Sequence, residues 1–137
     1  MILDKENLYS DDQALTTTAD STNVLDLGVA NRGPGNPMLI LIQVTTTFAG
    51  GTDVTIDLET DDNTSFSSLS TIGSTQTIAT ATLVQGYNFT IQFVPDAMER
   101  YSRLEYTITG THTAGNVTAG IVFERQTAKA TFPVATI

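Results

Sequence analysis

His112 is the single histidine of this 137-residue sequence, and it falls in the turn-forming run Thr111-His112-Thr113. A general base or a nucleophile-activating imidazole must reach a hydroxyl or thiol and be held by a carboxylate. No Gly-x-Ser-x-Gly element accompanies it, and cysteine is absent, so neither a serine elbow nor a thiol nucleophile is supplied. The expectation is a solvent-exposed turn histidine. The acids offer a second chemistry. Asp57, Glu59 and Asp61 alternate along one strand face, with Asp62 and Asn63 following. Oxygen ligands at that spacing suit Ca²⁺ or Mg²⁺, but an EF-hand loop needs glycine at its sixth position, where Asp62 stands, and a bidentate Glu at its twelfth. A solvated strand face is the default reading, and a weak divalent site near Asp57–Asp62 is the alternative. Carboxylate pairs for glycoside hydrolysis are positioned by the fold rather than by spacing, and there is no tryptophan for a sugar to stack on.

Other motifs carry less. The sequons at Asn63, Asn88 and Asn116 arise by chance in a chain whose commonest residue is threonine. The loop Gly33-Pro34-Gly35 is not followed by Lys-Ser/Thr and so cradles no phosphate. No catalytic residue, metal site or cofactor is expected, and the chain reads as a non-enzyme.

The elements that position these residues are strands. Threonine is β-branched and suits a half-exposed pleated surface, and no window shows sustained apolar spacing at the helical period. The length fits a single domain, residues 1–137, able to bury roughly 65–70% of its unfolded surface. Net charge is −9, so nucleic acid is not expected as a partner, since phosphate neutralisation needs clustered Lys and Arg. The longest apolar run, Met38 to Ile42, is too short for a bilayer, and the charged start Met1-Ile2-Leu3-Asp4-Lys5-Glu6 shows no signal-peptide pattern. Charge is uneven. Thirteen acids stand against Lys5 and Arg32 up to Glu99, whereas Arg100, Arg103, Arg125 and Lys129 outnumber Glu105 and Glu124 beyond it. That asymmetry suits an acidic face plus a patch that meets something acidic, with a merely solvated surface as the alternative.

Tyr87 to Phe123 organises the rest. Tyr87, Phe89, Ile91 and Phe93 alternate, Pro95 ends that strand, and Leu104, Tyr106 and Ile108 alternate in the next. Val117 to Phe123 follows as a third, and the short links predict an antiparallel meander. Upstream, strands are expected near Asp12–Thr17, Asn23–Gly28, Met38–Phe48 (central, apolar on both faces to Ile42), Asp53–Thr60 and Ile78–Val84. Ala49-Gly50-Gly51-Thr52 reads as a hairpin turn, and Phe66–Thr75 as a loop with Phe66, Leu69 and Ile72 tucked under an edge. About eight short strands between an N-terminal arm (1–11) and a C-terminal arm (126–137) predict an all-β, two-sheet antiparallel sandwich, a jelly roll being the favoured arrangement.

Tyr87, Phe93, Pro95, Arg100-Tyr101, Arg103-Leu104, Tyr106, Gly110-Thr111, Ala114-Gly115 and Val117 are similar to the carboxy-terminal half of tailed-phage capsid cement (decoration) proteins, of the kind described for Bordetella phage. Met1-Ile2-Leu3-Asp4-Lys5, the strand from Asn23 to Gly28, and Thr60-Asp61-Asp62-Asn63 before Phe66 resemble the same pattern in the same order. Ser102 departs from it, standing where related chains often carry an apolar residue. The resemblance implies a jelly roll without enzymatic role, assembled in the host cytoplasm onto the outer surface of an icosahedral virion head. There it would join neighbouring major capsid protein subunits, as a homodimer or alternatively a homotrimer. It carries over no catalytic residues.

Contact candidates then follow from the chain itself. Met1, Ile2 and Leu3 at one end and Phe132, Val134 and Ile137 at the other are apolar arm residues able to plug or edge-pair a neighbour, or to fold back on their own sandwich. Arg100 and Arg103 are candidates for an acidic capsid surface, against internal pairing with Glu99 and Glu105 or stacking on Tyr101. The rival function is a carbohydrate- or receptor-binding sandwich of a phage fibre. It needs exposed aromatic platforms, and the tyrosines here mostly fall at inward positions.

Overall fold

The computed structural model describes residues 3–30 and 37–122. A 3₁₀ turn, Lys5–Asn7, opens the described chain, capped by the Asp4 carboxylate, which accepts from Glu6 N–H at 3.1 Å. The strands are β1 (Leu8–Ala14), β2 (Ala19–Asp20), β3 (Leu25–Asp26), β4 (Met38–Gly50), β5 (Asp53–Asp61), β6 (Ser70–Ser74), β7 (Ile78–Ala79), β8 (Asn88–Phe93), β9 (Tyr101–Thr109) and β10 (His112–Val122). Every ladder is antiparallel. One sheet runs β1-β10-β4-β8 and the other β2-β9-β5-β6, with β3 also on β9 and β7 also on β5. Taking β2 with β3, and β6 with β7, as interrupted edge strands leaves eight, ordered 1-8-3-6 and 2-7-4-5. That is the double Greek key of a jelly roll.

This order overturns the expected meander. β8 pairs with β4, β9 with β5, β2 and β3, and β10 with β4 and β1, so the three strands from Tyr87 onward alternate between sheets and never pair with one another. The two-residue link between β9 and β10 is a corner, not a hairpin. Gly110, at φ +83°, makes that turn. Ala49–Thr52 is a corner too, since β4 and β5 belong to opposite sheets. A short link full of glycine fixes where the chain turns, but not whether the next strand lies beside the last one or across the core from it.

Local differences have similar causes. The first strand begins at Leu8, and the Asn23–Gly28 stretch keeps only two paired residues. Ser70–Ser74 is a strand despite its serines, because β5 needs a partner on its outer side. Ile78–Val84 pairs only at Ile78–Ala79 before a 3₁₀ turn, Thr80–Thr82. β4 is central and spans thirteen residues, as its two-sided apolar start requires.

The core lies between the sheets. Ile40, Ile42, Val44 and Phe48 of β4 face Val54, Ile56 and Leu58 of β5 and Leu104, Tyr106 and Ile108 of β9 across it, all of them buried. On the outer side, Leu41 is also buried, in register with Gly120, which is in register with Leu8. A Cβ on Gly120 would come within 2.9 Å of Leu8 Cδ2 and 3.6 Å of Leu3 Cδ2. The described part of the N-terminal arm thus lies back on its own sheet.

Candidate functional site

The polar groups most able to do chemistry are each built into the fold. His112 is 1% exposed, contrary to the expected solvated turn. The β9–β10 corner folds inward against the β4–β5 corner, and a Cβ on Gly51 would lie 2.4 Å from His112 Cδ2. The ring meets Phe48 edge-on at 5.1 Å, and Nε2 lies 3.0 Å from Thr80 Oγ1. Burial lowers its pKa, outweighing the Asp53 carboxylate and the Leu15 backbone, which favour the charged form. A hydroxyl beside an imidazole is half of a nucleophile–base pair. Here Nδ1 has no hydrogen-bond partner among the described residues, so no carboxylate orients the ring, and the ring is sealed from a substrate.

The acids of β5 are separated by their partners rather than gathered. Asp57 accepts from Ser74 Oγ, and Glu59 from Arg103 Nε at 2.8 Å. Asp61 is fully buried and closes its own loop. Its carboxylate accepts from the N–H groups of Asp62 (2.6 Å) and Ser68 (2.8 Å), and from Asn63 Nδ2 (3.0 Å). Burial alone would raise its pKa, but the donors from Ser68, Asp62 and Asn63 prevail and hold it low. Carboxylate oxygens of Asp61, Asp62 and Glu99 lie within 4.8 Å of one another, but those of Asp61 already accept from its own loop.

That loop also covers the outer face of the second sheet. Phe66, at φ +50° in a conformation unusual for a bulky residue, lies over the Arg103 guanidinium at 4.3 Å. It is buried against this outer face, while Leu69 is 38% exposed and Ile72 packs on the core, so the three do not tuck in together. Arg103 also reaches Asp20 at 2.8 Å. In register, Glu105 stands between Asp20 and Asp57. Burial first, then Glu59, Asp20 and Asp57, raise its pKa.

Residues 9–121 match the Bbp16 family model, a span running from the second residue of β1 to the penultimate residue of β10. The chain belongs to the Bbp16 family. These are Bordetella phage proteins. No curated protein sequence matches the chain. The matched segment of this Bbp16 chain is the jelly roll itself.

The contact candidates fall unevenly on the Bbp16 fold. Met1, Ile2, Phe132, Val134 and Ile137 lie outside the described residues, and Leu3 packs near Gly120. Arg100 pairs bidentately with Asp26 at 2.9 and 3.0 Å, both side chains 46% exposed, and sits 4.9 Å from the Tyr101 ring. Arg103 pairs with Glu59 and Asp20 rather than Glu105, and is 19% exposed. Both arginines are thus engaged by the chain's own acids. The described residues also form surface hollows. An apolar pocket of about 240 Å³ is lined by Leu27, Met38, Phe93 and Met98. A more open cleft of about 490 Å³ runs between Ser74–Ala79 and the half-buried Tyr87 and Phe89. Among the described residues, no helix is long and apolar enough to cross a membrane.

Sequence reasoning passed over a buried polar quartet that joins the sheets. Tyr9 Oη lies 2.9 Å from Ser102 Oγ, and Ser10 Oγ lies 2.7 Å from Tyr106 Oη. Register shifts on either side of Ser10 let consecutive residues of β1 both be buried. Burial raises both tyrosine pKa values. The signal was Ser102 itself, a hydroxyl in the inward phase of β9, which obliges a polar partner.

Proposed function

We propose that the chain is a structural virion protein with no catalytic role, a cement protein on the outer surface of the icosahedral head. It bridges adjacent major capsid protein subunits and acts as a homodimer. The observation that carries this reading is the family match over the whole jelly roll. The chemistry supports it: His112 is sealed, Asp57, Glu59 and Asp61 hold their own structure, and Arg100 and Arg103 are paired internally. A rigid two-sheet body transmits load between the subunits it joins. A bridge that binds only the assembled shell stabilises it by mass action, about 2.7 kcal/mol per site at one hundredfold above Kd.

The test is to mix purified protein with shells lacking it and image them. Added density at subunit junctions, and shells that withstand more heat, are expected. Saturating protein that leaves the junctions bare would end the proposal.

One observation favours a second reading. Tyr9 and Tyr106 are buried, as expected of inward tyrosines, but Tyr87 and Phe89, which pack on the core, are only half-buried and line a cleft that carries no acidic or basic residue. Aromatic faces beside hydroxyls suit a neutral glycan, and a specific hit on a glycan array would move the function to receptor binding.

A further inference from the structure

One end of the sandwich carries the apolar pocket of about 240 Å³. It lies where β4 begins, β8 ends and β10 is last described, at Met38, Phe93, Ile121 and Val122, with Pro95 and Met98 from the turn that follows β8. Met38 and Ile121 pack against the core but stay partly exposed at this mouth, whereas Ile40 and Ile91, the next inward pair along the β4–β8 ladder, are buried. Among the described residues, Asn7 is the one polar member of the lining. The volume is below the ~300–1,000 Å³ of sites that enclose a small organic ligand. It suits one or two apolar side chains.

We propose that the chain's own carboxy-terminal segment closes this pocket, with the Phe132 ring as its anchor. Three observations select that occupant. The first is position. Val122, the last residue described, is itself part of the lining, so residues 123–137 set out from the pocket rim. Phe132 stands ten residues beyond it, and ten residues span at most ~36 Å, enough to run out and turn back to the same rim. The second is residue type. Phe132-Pro133-Val134 is an apolar run, and the residue before a proline is disfavoured in helix, so the anchor arrives on an extended backbone.

The third is charge. The described residues hold fourteen acids against Lys5, Arg100 and Arg103, while the fifteen residues beyond carry Arg125 and Lys129 against Glu124. Asp96 and Glu99 directly follow the lining residues Pro95 and Met98, and Glu6 precedes Asn7, against Lys5 and an Arg100 that Asp26 engages. A basic segment is thus drawn to this mouth and away from no other part of the body. Closure covers the exposed parts of Met38 and Ile121, which stabilises the fold by the apolar surface removed from water. Phe132 then seals its own core and is not offered to a neighbouring subunit.

The chain has neither tryptophan nor cysteine, so Phe132→Trp in the full-length protein adds a single indole, and an introduced thiol takes a single nitroxide label. The indole emission should be blue-shifted and shielded from acrylamide at every protein concentration, and should move to the red in denaturant. A nitroxide on Asn7→Cys, an exposed position of the pocket lining, should quench it. One on Thr113→Cys, also exposed but nine residues and roughly 30 Å back along β10, should not. Phe132→Ala should lower the melting temperature by several degrees. Emission unchanged by denaturant, equal quenching from the two labels, or a melting temperature indifferent to Phe132→Ala would overturn the inference. So would shielding that grows with protein concentration, which would give the pocket to the tail of a second copy, or shielding that arises only on added shells, which would make Phe132 a capsid contact. The other measurements involve no shell, so failure to decorate shells would sink the cement reading and leave this one standing.

Discussion

The Tyr9 hydroxyl, on β1 of one sheet, lies 2.9 Å from the Ser102 hydroxyl on β9 of the other. Both side chains are fully buried. Ser102→Ala strands the phenol in the core without that partner, at a cost of about 1–3 kcal/mol, whereas Tyr9→Phe removes the group that needs one. The double variant should therefore be more stable than Ser102→Ala alone. Denaturant midpoints for the two singles and the double check this, and simple additivity would show that the hydroxyls do not pair.

The same residues mark how far the fold could be read in advance. Alternation in β5, β8 and β9 identified the strands and their inward faces, because a period of two depends only on the pleat. Partner choice did not follow, since pairing across Gly110 or Gly50-Gly51 depends on which of two sheets offers a free edge. The quiet carboxylates of β5 were legible as a face but not as structural acceptors. What separates those roles is the tight local loop that folds Asp62, Asn63 and Ser68 onto Asp61, a closure that alternation along a strand does not reveal. The burial of His112 has a long-range cause: a polar turn residue is exposed unless another corner packs on it, and Gly51 lets one do so.

The two arginine bridges should differ in worth. Glu59 is 4% exposed, so Glu59→Ala leaves the Arg103 guanidinium under Phe66 with only the exposed Asp20. A loss of about 2–3 kcal/mol is expected, below that of a fully buried pair because Arg103 keeps some water. Asp26→Asn, in the exposed Arg100 bridge, should leave the unfolding midpoint unchanged within error. Equal effects of the two substitutions would show that burial does not set the difference.

Glu105 works against the fold at neutral pH. Its pKa is raised by burial and by Glu59, Asp20 and Asp57, so the folded state takes up its proton more readily than the unfolded chain. Stability therefore falls as pH rises through that raised value, and the penalty vanishes once both states are protonated in acid. Glu105→Gln should stabilise near pH 7 by about 0.2–1 kcal/mol after solvent screening, and should do nothing near pH 3. Melting curves at the two pH values decide it. A loss at pH 7 would mean that Glu105 holds a favourable contact.

His112 has the opposite linkage. Its folded pKa lies below the ordinary value of 6.5, so the unfolded chain binds the proton first. Its contribution is whole above about pH 6.5 and is lost as pH falls through the folded value. Between pH 7 and 5 the native chain should lose more stability than His112→Gln, which can keep a hydrogen bond to Thr80 without titrating. Gly51 tests the packing behind this shift. Gly51→Ala forces a Cβ to 2.4 Å from the ring at φ +60°, and should cost about 2–4 kcal/mol at every pH. Combined with His112→Ala, the clash disappears and only the backbone strain remains, so the second alanine should recover part of the loss. If Gly51→Ala were tolerated, the two corners would not be in contact, and the acid sensitivity assigned to His112 would lose its cause.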